Sequence, residues 1–235
     1  MLEMDFAAWE PVYQSILDDF GYSRSEDEAS ARLLKTLMQN ADLIDDDDIK
    51  FRERVIVFGP ASPSFDGIEG ATIVSAGSAT SVLMDAGILP DIVVTDLDGD
   101  VSKQIEASRR GAVTFIHAHG DNADLIMDHA KDFTGPVVLT TQSRPDNVIR
   151  NYGGFTDGDR AVSIMLALGA ETVELRGFDF SSPVLKDGSD PDTKMKKLTW
   201  AKRIIDMGEE DNRLLRRPRQ IMIAISTRTS MPSMA

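Results

Sequence analysis

The sequence of 235 residues contains no cysteine. Disulfide bonds and thiolate metal sites are therefore excluded, so the ligands of any bound metal are oxygen atoms or imidazole rings. No apolar run approaches the ~20 residues that cross a bilayer. The first ten residues also lack the basic start and apolar stretch of a signal peptide. We therefore expect a cytoplasmic protein without a membrane partner.

Basic residues are scarce, since 25 Lys and Arg oppose 39 Asp and Glu and leave a formal net charge of −14. A nucleic-acid partner requires a basic face, so this balance predicts that the protein binds no nucleic acid. An acidic protein that binds a nucleotide needs a divalent cation or backbone amides to offset repulsion. The dense acidic run 45–48 is interpreted as a solvated linker rather than a metal site, because consecutive like charges repel.

The hydrophobic pattern changes near residue 50. Within residues 1–50, apolar residues recur at helical spacing, as from Trp9 to Phe20, which predicts a small N-terminal helical region. From residue 51, short runs rich in β-branched residues alternate with helical stretches, as in parallel sheets covered on both faces. The sequence therefore predicts an α/β fold in which residues 51–235 form a Rossmann-like, doubly wound, mostly parallel sheet. The predicted strands are 55–58, 72–74, 92–95, 113–116, 137–140, 172–175 and 220–226.

Small and charged residues cluster directly after the predicted strands. They form the segments 59–64, 75–79, 96–100 and 117–122, the segment 153–159 that opens a later helix, and Asp179. Ligands of open α/β sheets bind outside the carboxyl ends of the strands. Because six segments bring such residues to one edge of the sheet, the sequence predicts an active site there.

Asp96, Asp98 and Asp100 form a D-x-D-x-D array after the third predicted strand. Alternate residues of extended or turning backbone point the same way, so two carboxylates can share a hard cation such as Mg²⁺. The alternative is a turn that uses aspartates as local hydrogen-bond acceptors. Metal binding is favoured for Asp96 and Asp98, and the turn is favoured for Asp100.

His117 and His119 form an H-x-H arrangement that can place two imidazole rings on one metal ion. Zinc requires further ligands, however, and only carboxylates such as Asp121 are near. Contact of His119 and Asp121 with phosphate is therefore favoured over a zinc site. For His117, the alternative is a packing residue at the end of a strand.

The sequence contains neither a P-loop nor a G-x-G-x-x-G phosphate-binding motif. Gly77 and Ser78 nevertheless precede a predicted helix, whose free backbone amides favour an anion; capping by Ser78 or Thr80 is the alternative. Asp157 and Asp159 are likewise either ligand contacts or helix caps. Arg160 lies in the first turn of that helix, where it opposes the helix dipole, which favours a ligand contact.

Four sequence blocks together resemble one family. They are V-T-D-L-D-G (94–99), H-A-H-G-D-N (117–122), G-F-T-D-G-D-R-A (154–161) and G-F-D-F (177–180). In this order they look like the signature blocks of the archaeal MptE-like 6-hydroxymethylpterin diphosphokinases. The resemblance extends from about residue 50 to residue 205. It implies a Rossmann-like fold, similar in style to thiamine pyrophosphokinases, whose acidic loops hold magnesium. It also implies the transfer of diphosphate from ATP to 6-hydroxymethyl-7,8-dihydropterin, with release of AMP.

With this resemblance, the candidate residues receive predicted roles. The predicted catalytic residues are Asp98, Asp121 and His119, and the predicted Mg²⁺ ligands are Asp96, Asp98 and Asp121. The predicted nucleotide contacts are Gly59, Ser62, Ser64, Gly77, Ser78 and Asn122. The predicted pterin contacts are Asp157, Asp159, Arg160 and Asp179, because a carboxylate accepts two hydrogen bonds from an aminopyrimidine edge. One departure is that Gly77 stands where the resemblance implies an aspartate.

Two alternatives to this function stay open at the level of sequence. A metal-dependent nucleotide-sugar glycosyltransferase also uses a D-x-D pair, and a catalytically silent nucleotide-binding module retains the fold without the reaction. Lys194, Lys196 and Lys197 add positive charge to the site, or they form a solvated helix face. Besides ATP and a reduced hydroxymethylpterin, a second copy of the chain is the partner that the sequence leaves open.

Overall fold

The computed structural model describes residues 6–61, 63–182, 190–214 and 220–223. Within these residues, eight parallel strands form one sheet in the order β6-β5-β4-β3-β2-β1-β7-β8. This arrangement confirms the predicted doubly wound α/β class. The strands are β1 (Arg54–Phe58), β2 (Thr72–Ala76), β3 (Ile92–Thr95), β4 (Val113–Ala118), β5 (Val137–Thr141), β6 (Ile149–Arg150), β7 (Thr172–Arg176) and β8 (Gln220–Ile223).

In the part of the chain that the structure describes, seven α-helices connect or cover these strands, and short 3₁₀ turns occur at Asp46–Asp48, Gly120–Asn122 and Ala130–Asp132. The helices are α1 (Phe6–Phe20), α2 (Arg24–Leu37), α3 (Ala79–Asp85), α4 (Val101–Arg109), α5 (Ala123–His129), α6 (Asp157–Ala167) and α7 (Pro191–Leu214). Within the described ranges, none of these helices combines the length and the hydrophobicity that crossing a bilayer requires.

The central strands are buried on both faces, which explains their continuous apolar runs. In β1, Val55 and Val57 pack with α6 residues, whereas Ile56 and Phe58 pack with Leu83 of α3. Side chains alternate between the faces of a strand, so one strand contributes to two cores. Helices α6 and α7 therefore cover one face of the sheet, and the helices α2 to α5 cover the other.

The N-terminal helices pack directly on this sheet. Leu34 and Met38 of α2 are buried in one cluster with Ile116 of β4 and Val137 of β5. Trp9 of α1 packs in another cluster, with residues that precede α6 and residues of α7. The division of the chain at residue 50 stays a prediction, but the helical region shares its core with the rest of the fold.

The acidic run covers the edge of the sheet next to β6. Arg150 donates to Asp45 at 2.9 Å, and the hydroxyl of Tyr152 donates to Asp46 at 2.5 Å. At least two carboxylates of the run therefore have partners in or beside the edge strand, unlike those of a free linker. Charged and covered edges also prevent pairing with further strands.

The order of the strands changes direction between β1 and β7. Strands β1 to β6 follow one another across the sheet, and the chain then returns through α6 to place β7 on the other side of β1. Ligands of such folds bind at this topological switch point. Gly59 and Gly177 follow β1 and β7, and a Cβ atom on either glycine would lie 2.5 Å from the carbonyl oxygen of the other. Only glycine permits this close approach of the two loops.

Candidate active site

A cavity of about 250 Å³ opens at the carboxyl ends of the strands. All six segments that the sequence predicts to converge contribute to its lining, together with Tyr22 before α2 and several residues of α7. Convergence follows from the parallel sheet, since every strand ends at the same edge. The predicted position of the active site thus coincides with a concave, mixed polar and aromatic pocket.

The turn after β3 places Asp96 and Asp98 on the cavity. Leu97 between them has a φ of 68°, which is the only positive φ of a non-glycine residue in the described part of the chain. Its side chain is fully buried, and its N–H donates to the hydroxyl of Thr95 at 2.8 Å. Buried Gln104 of α4 accepts from Thr95 and donates to the carbonyl of Asp98 at 3.0 Å. Packing and hydrogen bonds therefore maintain a strained turn at the predicted metal site.

His119 faces Asp96 across the floor of the cavity. The distance from Nε2 of His119 to Oδ2 of Asp96 is 3.5 Å. Nδ1 of His119 accepts the backbone N–H of Asp121 at 3.2 Å, so the ring proton lies on Nε2, toward Asp96. Burial raises the pKa of Asp96, but the interaction with His119 and the charge of Arg160 outweigh it and lower that pKa below its ordinary value.

Asn122 holds this histidine loop in place and does not line the cavity. Its Oδ1 accepts the N–H of His119 at 3.0 Å. Its Nδ2 donates to the carbonyls of Asp96 at 2.8 Å and His117 at 2.7 Å. The amide group therefore joins the ends of β3 and β4, and its described hydrogen bonds all go to backbone. The predicted nucleotide contact of Asn122 stays a prediction.

His117 is buried beneath the site, at 1% exposure. Its Nδ1 lies 3.0 Å from the hydroxyl of Thr140, and its Nε2 has no hydrogen-bond partner among the described atoms. Burial, and then the charges of Arg160 and His119, lower the pKa of His117 well below its ordinary value. This placement matches the alternative of a packing residue at the end of a strand.

Asp159 and Arg160 organise the loop that precedes α6. Asp159 is 1% exposed and accepts the N–H groups of Phe155 at 2.6 Å and Thr156 at 2.9 Å. Burial raises the pKa of Asp159, against the opposing hydrogen bonds of the loop. Arg160 is 2% exposed and donates to Asp157 and to the carbonyl of Phe155. Asp157 and Asp159 line the cavity, whereas Arg160 lies behind them.

Gly77 lies against Asp157, which comes from a distant part of the chain. Gly77 has a φ of 52°, and a Cβ atom on it would collide with Oδ2 of Asp157. The family resemblance implies an aspartate at position 77. In this chain the carboxylate of Asp157 occupies the space in which a side chain of residue 77 would project. The departure at position 77 therefore does not leave this part of the cavity without a carboxylate.

Gly77→Ala is expected to destabilise the protein more than Gly87→Ala. Both glycines have positive φ, which costs an alanine about 1–2 kcal/mol. Nothing lies within 4 Å of a Cβ atom on Gly87, whereas Asp157 obstructs one on Gly77. Overpacking adds about 1–3 kcal/mol to the cost of the Gly77 variant. Chemical denaturation of both variants measures the difference, and equal losses would contradict the predicted collision.

The remaining residues that the sequence predicts as ligand contacts differ in whether they line the cavity. Gly59 and Ser78 line the cavity, and so does Asp179, whose pKa is lowered by hydrogen bonds from Ser181 and Ser182. Ser64 lies outside the lining, and its hydroxyl donates to Asp66 at 3.0 Å. Ser62 lies outside the described residues. Asp100 precedes α4, away from the cavity.

Aromatic side chains form walls that the sequence did not predict, and Lys197, which the sequence left open between the site and a solvated helix face, lies beside them. Tyr22 and Phe155 line one part of the cavity, and the rings of Phe178 and Phe180 line another, stacked at 5.9 Å. Nζ of Lys197 lies 5.9 Å and 5.8 Å from the ring centroids of Tyr22 and Phe155. The aromatic rings suit stacking with a flat heterocycle, and the lysine suits contact with an anion.

The carboxylate oxygens that line the cavity suit an open magnesium site better than a closed site made of protein ligands alone. In the described part of the chain, no three Asp, Glu or His side chains form a ready-made metal-binding group. Mg²⁺ keeps several waters and is bound by one or two carboxylates together with substrate phosphates. Asp96 and Asp98 share one turn, and Asp121 lines the same cavity. These oxygen donors fit that requirement, and magnesium binding stays a prediction.

Comparison with known proteins identifies the family. The family model described as "6-hydroxymethylpterin diphosphokinase MptE-like" matches residues 32–184. A Pyrococcus furiosus protein named "6-hydroxymethyl-7,8-dihydropterin pyrophosphokinase" is 38% identical, over 89% of this chain and 96% of its own. Proteins of the same name from Methanothermobacter thermautotrophicus and Methanocaldococcus jannaschii are 40% and 34% identical, over 88% and 86% of this chain and 97% and 95% of their own.

A solved structure shares the fold. The MAf glycosyltransferase from Magnetospirillum magneticum AMB-1 matches 87% of this chain with a TM-score of 0.54, and the match spans 37% of that structure. The sequence identity is 17%, so this likeness concerns the fold alone. The family model and the three relatives, by contrast, match through the sequence itself and confirm the resemblance of the four blocks. The chain belongs to the MptE-like 6-hydroxymethylpterin diphosphokinase family.

Proposed function

We propose that the protein transfers diphosphate from ATP to 6-hydroxymethyl-7,8-dihydropterin and releases AMP. The observation that carries this proposal is the similarity, over nearly the whole chain, to three relatives named as that pyrophosphokinase. The cavity supports it, because all four sequence blocks of the family contribute to its lining. Positioning and charge neutralisation supply most of the acceleration in such phosphate chemistry.

The charge of the cavity supports a divalent cation in the reaction. Among the described residues, six aspartates line the cavity, against two lysines and one histidine. Such a field repels the phosphates of ATP unless a cation offsets it. Asp96, Asp98 and Asp121 are the proposed ligands of Mg²⁺, which when bound supplies positive charge to the phosphate oxygens. His119 is proposed to hold a phosphate oxygen, and Asp121 is alternatively the base that accepts the proton of the pterin hydroxyl.

The aromatic walls supply surfaces for the two flat rings of the substrates. Tyr22 and Phe155 form one surface, and Phe178 and Phe180 form the other. Stacking against such rings contributes about 0.5–1.5 kcal/mol beyond burial. Asp157 and Asp179 line the same cavity and are the proposed acceptors for the aminopyrimidine edge of the pterin. For Asp159 and Arg160, the described contacts support a role in shaping this loop instead.

Lys197→Met is expected to raise the KM for ATP about tenfold, since a charge-assisted hydrogen bond contributes about 1.5–3 kcal/mol. Lys197 lines the cavity and has no salt bridge to another described residue. Lys196 is the matched control on the same helix, because it pairs with Asp19 at 3.1 Å and lies outside the lining. The Lys196→Met variant should retain its KM. Equal KM values for both variants in steady-state assays would contradict a phosphate contact of Lys197.

A single assay distinguishes the proposed function from its alternatives. The protein is incubated with ATP, Mg²⁺ and reduced 6-hydroxymethylpterin, and AMP and pterin diphosphate should form in equal amounts. A parallel incubation supplies a nucleotide sugar in place of ATP, and release of a nucleoside diphosphate there would favour the glycosyltransferase. Absence of any product would favour the silent module. The cytoplasmic location, the absence of a nucleic-acid partner and the oligomeric state stay predictions.

A further inference from the structure

The N-terminal helices bury a polar cluster beside the cavity. Asp27 of α2 is 2% exposed, and its carboxyl group accepts three hydrogen bonds. The hydroxyl of Tyr13 donates at 2.6 Å and the side-chain amide of Gln142 at 2.8 Å, both to Oδ2. The backbone N–H of Gly120 donates to Oδ1 at 2.7 Å. One side chain of α2 thus joins α1, the loop after β4 and the loop after β5.

Gly120 lies between His119 and Asp121, both of which line the cavity. A Cβ atom on Gly120 would lie 2.9 Å from Cβ of Glu26, so α2 lies directly behind this loop. The hydrogen bond between Asp121 and His119 is internal to the loop and cannot fix its position relative to the sheet. Asn122 attaches the loop at His119 to the ends of β3 and β4, and the bond to Asp27 attaches it at Gly120 to α2, which is packed on the sheet.

We propose that Asp27 is a positioning residue for diphosphate transfer. It holds the loop of residues 119–121 against Asp96, which makes the N-terminal helices part of the active site. Burial of a polar group costs folding free energy unless its hydrogen bonds are satisfied, whereas apolar packing alone would be enough to attach α2 to the sheet. The bonds from Tyr13 and Gln142 orient the carboxylate, and the bond from Gly120 attaches the loop to it. Precision matters because a misplacement of about 1 Å lowers turnover about 100-fold.

Asp27→Asn tests this inference, because asparagine keeps the shape of the side chain but has only one side-chain oxygen in place of two. The oxygen is expected to stay toward Tyr13 and Gln142, which both donate. The new NH₂ group then faces the N–H of Gly120, and the bond to the loop is lost. The inference rests on the proposed function and predicts that kcat for AMP release falls about 10- to 100-fold. The KM for ATP should change less.

Leu34→Ala is the matched control for stability. Leu34 is fully buried on the same helix and has no part in the polar cluster. This variant should lower Tm by several degrees, with kcat within about twofold of wild type at a temperature where it is folded. Gly120→Ala disturbs the same contact from the loop and should lower kcat as Asp27→Asn does. Wild-type kcat in Asp27→Asn, or an equal loss in Leu34→Ala, would overturn the inference.

Hydrogen exchange of the Gly120 amide separates this inference from the proposed function. If the wild-type protein forms no AMP, the proposed function fails, and the contact is then judged by exchange alone. Exchange at Gly120 should be at least about tenfold faster in Asp27→Asn than in Leu34→Ala. Equal exchange rates would show that Asp27 does not hold the loop, even if the wild-type enzyme is active.

Discussion

Asp98→Asn is expected to lower kcat for diphosphate transfer about 10²- to 10³-fold, as the removal of one electrostatic group from an active site does. Asparagine keeps the shape of the side chain but removes the negative charge that a cation requires. The fold should tolerate this change, because Gln104 contacts the backbone carbonyl of Asp98 rather than its side chain. Burial of Leu97 also maintains the turn independently of the carboxylate.

Asp100→Asn is the matched control on the same segment. Asp100 precedes α4 and lies outside the lining of the cavity. Asparagine is as good an N-cap residue as aspartate, so this variant should retain kcat within about twofold and keep its stability. Both variants are assayed across a titration of Mg²⁺. Near-normal activity of Asp98→Asn at saturating Mg²⁺, or equal losses in both variants, would contradict the proposed metal site.

The turn at Asp96 and Asp98 shows how far sequence reasoning extends. The position of the turn could be predicted, because it follows a buried strand whose end must lie at the edge of the sheet. Its conformation could not, because positive φ is normally assigned to glycine and here occurs at Leu97. Only the buried cluster around Leu97 and the bonds of Gln104 explain it, and both depend on tertiary contacts.

The aromatic walls of the cavity were missed, and the position of Lys197 was left open, for a related reason. Helical periodicity identifies an apolar stripe, but it does not show that Tyr22 and Lys197 reach a cavity formed by distant strands. The same limit applies to Asn122 and Arg160, whose residue types suit ligand contacts but whose described hydrogen bonds lie within the protein.

Strand β6 has only two residues, which is too short for a recognisable pattern.

ATP that carries label in both its β- and γ-phosphates is expected to yield a pterin product that contains both labels, with unlabelled AMP. In diphosphate transfer the acceptor hydroxyl attacks the β-phosphorus, and the bond from that phosphorus to the α,β-bridging oxygen breaks, so AMP departs with this oxygen. A simple kinase moves only the γ-phosphoryl group and releases ADP. The chain has no P-loop lysine for the β- and γ-phosphates, and it supplies aspartates for metal binding instead.

Two methylene analogues of ATP provide a matched pair for this prediction. The α,β-methylene analogue should bind as a competitive inhibitor without reacting, because its bridging carbon cannot leave. The β,γ-methylene analogue should remain a substrate, because the β,γ bridge stays intact in diphosphate transfer. A kinase that transfers the γ-phosphoryl group reverses this order, since it must break the β,γ bridge. Labelled ADP as the main nucleotide product, or turnover of the α,β-methylene analogue, would refute the diphosphokinase proposal even if the magnesium ligands proved correct.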